Sequence, residues 1–204
     1  MGDTMTVRTD TASRLLSGPA VLRPKQIRVL LNAPDRRTRL GKRDAALLAV
    51  LVGGGLRLGE ACGLNIEGVE LTERVRITIR TAKSRGMKFR TVTLPGPAAR
   101  LLVGWLAYAK PRFWVFPGNH GESLTARHAG RIVRTYLRKI GRGDLHPHSL
   151  RHSVGAMITR ATGSIYTTQK VLGHADPRTT AQYYSGWSVE DADKAADAIE
   201  KTLQ

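Results

Sequence analysis

A single cysteine, Cys62, leaves nothing for an intrachain disulfide or a thiolate metal cluster, and a reducing compartment such as the cytoplasm suits the chain. Acidic side chains are scarce, 16 against 33 Lys and Arg, and no cluster of carboxylates is available to hold magnesium. Long apolar runs are missing as well. The longest uncharged stretch, AALLAVLVGGGL from Ala45 to Leu56, falls well short of the roughly 18 residues of a membrane span and carries three glycines, so it reads as buried core and not as an anchor. No secretory signal and no internal repeat is visible.

What is present in quantity is positive charge. The formal net charge is +17 over 204 residues, spread along most of the chain. Such a field favours a polyanionic partner, nucleic acid first among them, with a plain solubility charge as the blander alternative. The 41% hydrophobic content is that of a globular domain with a sizeable core.

Residues 1–21 carry Thr, Ser, Asp and Arg without periodicity and read as a tail. From Leu22 the pattern changes. Pro24 opens a short amphipathic helix with Ile27, Val29, Leu30 and Leu31; a core helix runs from Lys42 to about Val52; Gly53, Gly54 and Gly55 break it. RVRITIR (74–80) and FRTVTL (89–94) alternate as half-buried strands around a basic loop, Lys83–Lys88. A helix follows over 96–110, a short strand over Phe113–Phe116, and a long basic amphipathic helix over Ser123–Ile140. Three helical stretches come next: one through Met157, one near Tyr166–Leu172, and one opened by Asp176 and Pro177. A last helix, Val189–Leu203, has Ala192, Ala195, Ala196, Ile199 and Leu203 on one face. The chain is mainly α with a small antiparallel β-sheet.

HPHSLRH (146–152) concentrates three histidines and an arginine. Pro147 keeps His146 extended, ahead of the helix, while His148, Arg151 and His152 follow at i, i+3 and i+4 on one face. His148 and His152 could begin a metal site, but the fixed charge of Arg151 beside them opposes a divalent cation. The motif has company: Arg57 in GLRLGE, His174 in LGH, and two phenols in TTAQYY. Guanidiniums suit the oxygens of a phosphate and the charge that grows on them in a transition state. A tyrosine suits a covalent nucleophile, and histidine and lysine suit proton transfer.

Together, GLRLGEACGL, the basic hairpin, HPHSLRH, LGH and a tyrosine nine residues beyond that histidine resemble the catalytic domain of the tyrosine recombinases, the phage integrase family. The likeness runs from about Leu22 to the C-terminus. It implies the recombinase catalytic-domain fold and a site-specific DNA recombinase. The tyrosine attacks a DNA phosphodiester, forms a 3′-phosphotyrosyl link and frees a 5′-hydroxyl for strand exchange, with no cofactor and no metal. By resemblance, Arg57 and Arg151 clamp the phosphate, His148 acts on the phenol proton, His174 hydrogen-bonds a non-bridging oxygen, and Tyr183 is the nucleophile. Helical geometry alone does not choose between Tyr183 and Tyr184. Glu60 either supports the arginines or forms a simple surface ion pair, and His152 is a supporting residue. The general acid is Lys83, with Lys88 as alternative, because the commonest family spacing back from Arg90 falls on Arg85, a poor proton donor.

The partners implied are double-stranded DNA and further copies of the chain, a homotetramer on DNA with a monomer possible in solution and no membrane. Val189–Leu203 would dock on a neighbouring protomer or pack on its own domain. Localisation would be cytoplasmic, at the nucleoid. No separate core-binding domain is expected in the first 21 residues, so the chain is either a naturally short member or a fragment. The other readings are topoisomerase-like cleavage and religation, or a catalytically idle DNA-binding module.

Overall fold

Pro24 supplies the fixed φ of a first helical turn, and the Gln26 side chain accepts a hydrogen bond from the Arg23 backbone N–H at 2.9 Å, so α1 spans Pro24–Asn32. In the computed structural model, which describes residues 21–83, 86–173 and 189–203, α1 buries Ile27, Leu30 and Leu31, while Val29 falls on its outer face and is exposed. Thr38 caps the next helix by accepting from Gly41 N–H at 3.0 Å, and α2 (Arg39–Gly53) is buried almost all round from Gly41 onward. Its Leu47, Leu48 and Leu51 are enclosed, each contributing roughly 1.5–3 kcal/mol of burial. α2 is the central element of the core, as its lack of a polar face requires.

The glycine break leads into α3 (Leu58–Cys62), a 3₁₀ turn at Ile66–Gly68, and a sheet of β1 (Val69–Leu71), β2 (Val75–Lys83) and β3 (Gly86–Thr93). The strands pair antiparallel in sequence order, with Ile79 opposite Arg90 and Lys83 opposite Gly86. β1 was not expected: three residues, mostly exposed, give no alternation to read. Phe113–Phe116 is a correction. It makes only a bridge, Asn65 to Trp114, outside the sheet, fastened by Val115 N–H to the Leu64 carbonyl at 2.9 Å and Trp105 Nε1 to the Val115 carbonyl at 2.7 Å.

After α4 (Gly96–Ala109), the basic helix α5 begins at Ala126, because Thr125 is its cap and Leu124 is extended against Phe116. α5 ends at Lys139 and is tied to α2 by Asp44, which accepts from the Tyr136 hydroxyl at 3.2 Å and from Arg43 at 2.9 Å. α6 (Pro147–Thr162) and α7 (Ile165–Leu172) follow, each ended by a left-handed glycine, Gly163 and Gly173. The stretch opened by Asp176 and Pro177 lies outside the described residues, as does the N-terminal tail through residue 20.

α8 (Val189–Leu203) packs on its own domain in the single chain, against β3, α6, α1 and α7. The five apolar positions read from the sequence are all buried there. Polar contacts fix the register: Asp193 accepts from Thr93 at 2.6 Å and Arg76 at 2.9 Å, and Asp197 from Arg74 at 2.6 Å. Glu200 accepts from Gly96 N–H at 2.7 Å, supplying the cap that Pro95 cannot give α4. Among the described residues no helix is long and apolar enough to cross a membrane.

Candidate active site

The site begins at a backbone turn. Gly55 has φ +62°, and a Cβ there would come within 2.6 Å of Leu172, so only glycine lets α2 turn this closely past α7. The turn aims the Gly55 carbonyl at Arg151 and leaves Arg57 extended at the start of α3. Glu60, in the first turn of α3, folds back to accept from the Arg57 backbone N–H and from its guanidinium, both at 2.7 Å. Arg57 also donates to the carbonyl of Gly173 at 3.2 Å. From β3, Arg90 meets the same carboxylate with both terminal nitrogens, at 2.9 and 2.7 Å. Glu60 is only 8% exposed, so of the two readings of this residue the surface ion pair is excluded.

Arg151 comes from α6 and is 2% exposed. It donates to the carbonyls of Gly55, at 2.6 Å, and of Leu172, and lies 3.9 Å from Glu60. Its Nε has no hydrogen-bond partner among the described residues. This separates the face read from HPHSLRH: Arg151 turns into the domain toward those carbonyls, while His148 and His152 remain exposed and meet edge to face with ring centroids 4.7 Å apart. His146 caps α6 through Ser149, whose hydroxyl is 3.2 Å from Nδ1.

Three guanidiniums therefore meet one carboxylate among the described residues, and the charge does not balance. Burial disfavours the Glu60 carboxylate, yet the hydrogen bonds and charges of Arg90 and Arg57 outweigh it and hold its pKa down at about 2. Burial first, then the neighbouring Arg57 and Arg90, lowers the pKa of Arg151 to about 9. A guanidinium still keeps its proton at neutral pH, so this is an unmet demand for negative charge. Burial, followed by the charges of His152 and Arg151, also lowers His148 below the ordinary 6.5, which keeps a neutral imidazole beside the cluster.

The remaining sequence-derived residues divide by location. His174, Tyr183 and Tyr184 lie outside the described residues, although the Gly173 carbonyl preceding His174 is bound by Arg57. Lys83 and Lys88 lie on β2 and β3; Lys88 is opposite Thr81 and two residues from Arg90, and Lys83 is at the end of the ladder. Arg90 itself was missed as a site residue. Its signal was parity: Val92 is buried and Phe89 is 62% exposed, so Arg90 takes the inward alternate position. Among the described residues no group of three or more His, Cys, Asp or Glu could hold a metal ion.

One further surface adjoins the cluster. α5 presents Arg127, Arg131, Arg134 and Arg138 at i, i+4, i+7 and i+11, all exposed, with no acidic residue in the helix. Gly130 brings α5 against Leu58, the neighbour of Arg57.

A mainly helical, strongly basic domain with three arginines converging on one buried carboxylate is the class that fold and site define. The profile of the phage integrase family matches residues 20–187, and the chain belongs to that family. It is 34% identical over 191 residues to "Tyrosine recombinase XerD" of Neisseria meningitidis serogroup B (strain ATCC BAA-335 / MC58), covering 87% of this chain and 64% of that protein. It is 37% identical over 150 residues to "Tyrosine recombinase XerC" of Pseudomonas aeruginosa (strain LESB58), covering 71% and 48%. The chain thus spans less than two thirds of the length of these relatives. Among solved structures, that of XerA recombinase superposes with a TM-score of 0.69 at 28% identity, over 86% of this chain and 62% of the other.

Proposed function

We propose that this chain carries the catalytic activity of a site-specific DNA recombinase, breaking and rejoining double-stranded DNA through a 3′-phosphotyrosyl intermediate. The observation that carries the reading is the three-to-one ratio of guanidiniums to carboxylate around Glu60, with the buried Arg151 Nε lacking a hydrogen-bond partner among the described residues. A phosphodiester supplies the missing negative charge, and charge growing on its oxygens in the transition state strengthens the same contacts. Neutral His148 takes the proton of the attacking phenol, Tyr183, as its oxygen bonds to phosphorus. His174 hydrogen-bonds a non-bridging oxygen, and Lys83, with Lys88 as the alternative, protonates the departing 5′-oxygen. His152 supports the neighbouring His148. The bond energy is retained in the phosphotyrosyl ester, so the reverse attack by a 5′-hydroxyl reseals the strand.

The α5 arginine stripe extends the clamp along the duplex. Its first and last members are roughly 16 Å apart at helical rise, and a major groove about 12 Å wide admits such a helix. Relatives named tyrosine recombinases support the reaction class. Exchange between duplexes requires several copies on DNA, a homotetramer in this proposal, acting in the cytoplasm at the nucleoid.

The decisive experiment is incubation with supercoiled and nicked DNA in EDTA, followed by denaturing electrophoresis for a covalent protein–DNA adduct. The expected outcome is an adduct that is lost in Tyr183→Phe and retained in Tyr184→Phe. Binding without an adduct on any DNA would leave only an idle DNA-binding module; relaxation without strand exchange would leave the topoisomerase-like reading.

A further inference from the structure

We infer that Arg90 is a positioning residue of this phosphate clamp: by saturating Glu60 it keeps the Arg151 guanidinium from pairing with the carboxylate and leaves its charge for the phosphate. The inference rests on the reading of the cluster as a phosphate site. A carboxylate offers about four lone-pair positions. In Glu60 four donors take them: the Arg57 backbone N–H, one Arg57 guanidinium N–H, and both terminal nitrogens of Arg90. Arg151, 3.9 Å away, is left outside hydrogen-bonding range and is held instead by two backbone carbonyls. Without Arg90, half of the Glu60 capacity opens beside a buried guanidinium whose Nε has no partner among the described residues. Arg151 would then turn to the carboxylate, and the site would neutralise its own charge.

Arg90 has a second contact that a mere counterion would not need. It lies under Gly173, where an added Cβ would be 3.0 Å from its Cδ and 3.1 Å from its Nη1. Gly173 is the residue whose carbonyl accepts from Arg57. Arg90 thus bonds Glu60 and runs close beside Gly173, the two residues that orient Arg57, and it brings strand β3 up to them. It is 12% exposed and is placed behind the carboxylate. Lysine would keep the charge but could not present the two-pronged contact.

The test compares wild type, Arg90→Lys, Arg90→Met, Glu60→Gln and the Arg90→Met/Glu60→Gln double variant. The DNA is a duplex bearing a site recovered from wild-type covalent adducts on random-sequence DNA. At saturating DNA, adduct formation should slow roughly tenfold in Arg90→Lys and up to about a hundredfold in Arg90→Met. DNA affinity should stay within about twofold of wild type, and the double variant should be no slower than the slower single variant. Arg90→Met at the wild-type rate would reduce the residue to packing. A double variant showing the product of the two losses, or a loss carried by DNA affinity, would overturn action through Glu60. An activity-independent reading uses the ¹³C carboxyl resonance of Glu60, whose titration midpoint must rise from about 2 in both Arg90 variants. A midpoint that stays put refutes the inference. A wild type that forms no adduct refutes the recombinase reading instead, while the titration still decides the part played by Arg90.

Discussion

Replacing Glu60 by Gln removes the one carboxylate among three guanidiniums while keeping its shape. The amide retains a single acceptor oxygen and turns two N–H donors toward Arg57 and Arg90, which have only donors to offer. A carboxylate held near 2 when its ordinary value is 4.5 contributes roughly 3 kcal/mol at neutral pH. That agrees with the roughly 3–5 kcal/mol lost when one partner of a buried ion pair is deleted. For a chain of this length the melting temperature should fall by about 6–12 °C. Because the folded-state pKa is depressed, the stabilisation is complete above 4.5 and fades as pH falls toward 2. Glutamine does not titrate, so the two proteins should converge across that window. Urea unfolding followed by circular dichroism at about pH 7, 5 and 3 measures the gap. A gap below about 1 kcal/mol at neutral pH, or one that persists unchanged at about pH 3, would refute the claim that Glu60 is held ionised by the arginines.

Gly173→Ala should cost about 1–2 kcal/mol from its left-handed backbone alone, and more because the new methyl meets Arg90 at 3.0 Å; Gly163→Ala, at φ +66° in open space, gives the backbone cost by itself, and equal losses at the two sites would remove the Arg90 contact from the account. The acid limb of adduct formation should have its midpoint below the ordinary imidazole value of 6.5, since the His148 pKa is lowered and its neutral form is the proton acceptor; a rate flat across that region, or unchanged in His148→Gln, would exclude it as the base. Replacing Arg131 or Arg134 by Gln should weaken binding to every duplex and reduce the slope of log affinity against log salt by about 0.9 for each phosphate no longer neutralised; an unchanged slope would place α5 away from the DNA.

What could be read from the sequence depended on whether a property is local. Pro24, the glycines after Val52 and the alternation of RVRITIR are local instructions, and α1, the end of α2 and strand β2 follow them. The apolar face of Val189–Leu203 was equally legible, but a face states only that something must cover it. That its cover is the chain's own β3 and α6 depends on Thr93, Arg76 and Gly96 receiving Asp193 and Glu200, pairings about a hundred residues apart. The candidate site divides in the same way. Arg57 and Arg151 are named as phosphate ligands through the family resemblance, and guanidiniums suit that role. Which of them stays available to the phosphate is a question of charge balance, and that balance exists only once β3 delivers Arg90 to Glu60. Read along the chain, Arg90 is one basic residue among 33 Lys and Arg. In the fold it decides whether the carboxylate serves the clamp or closes it.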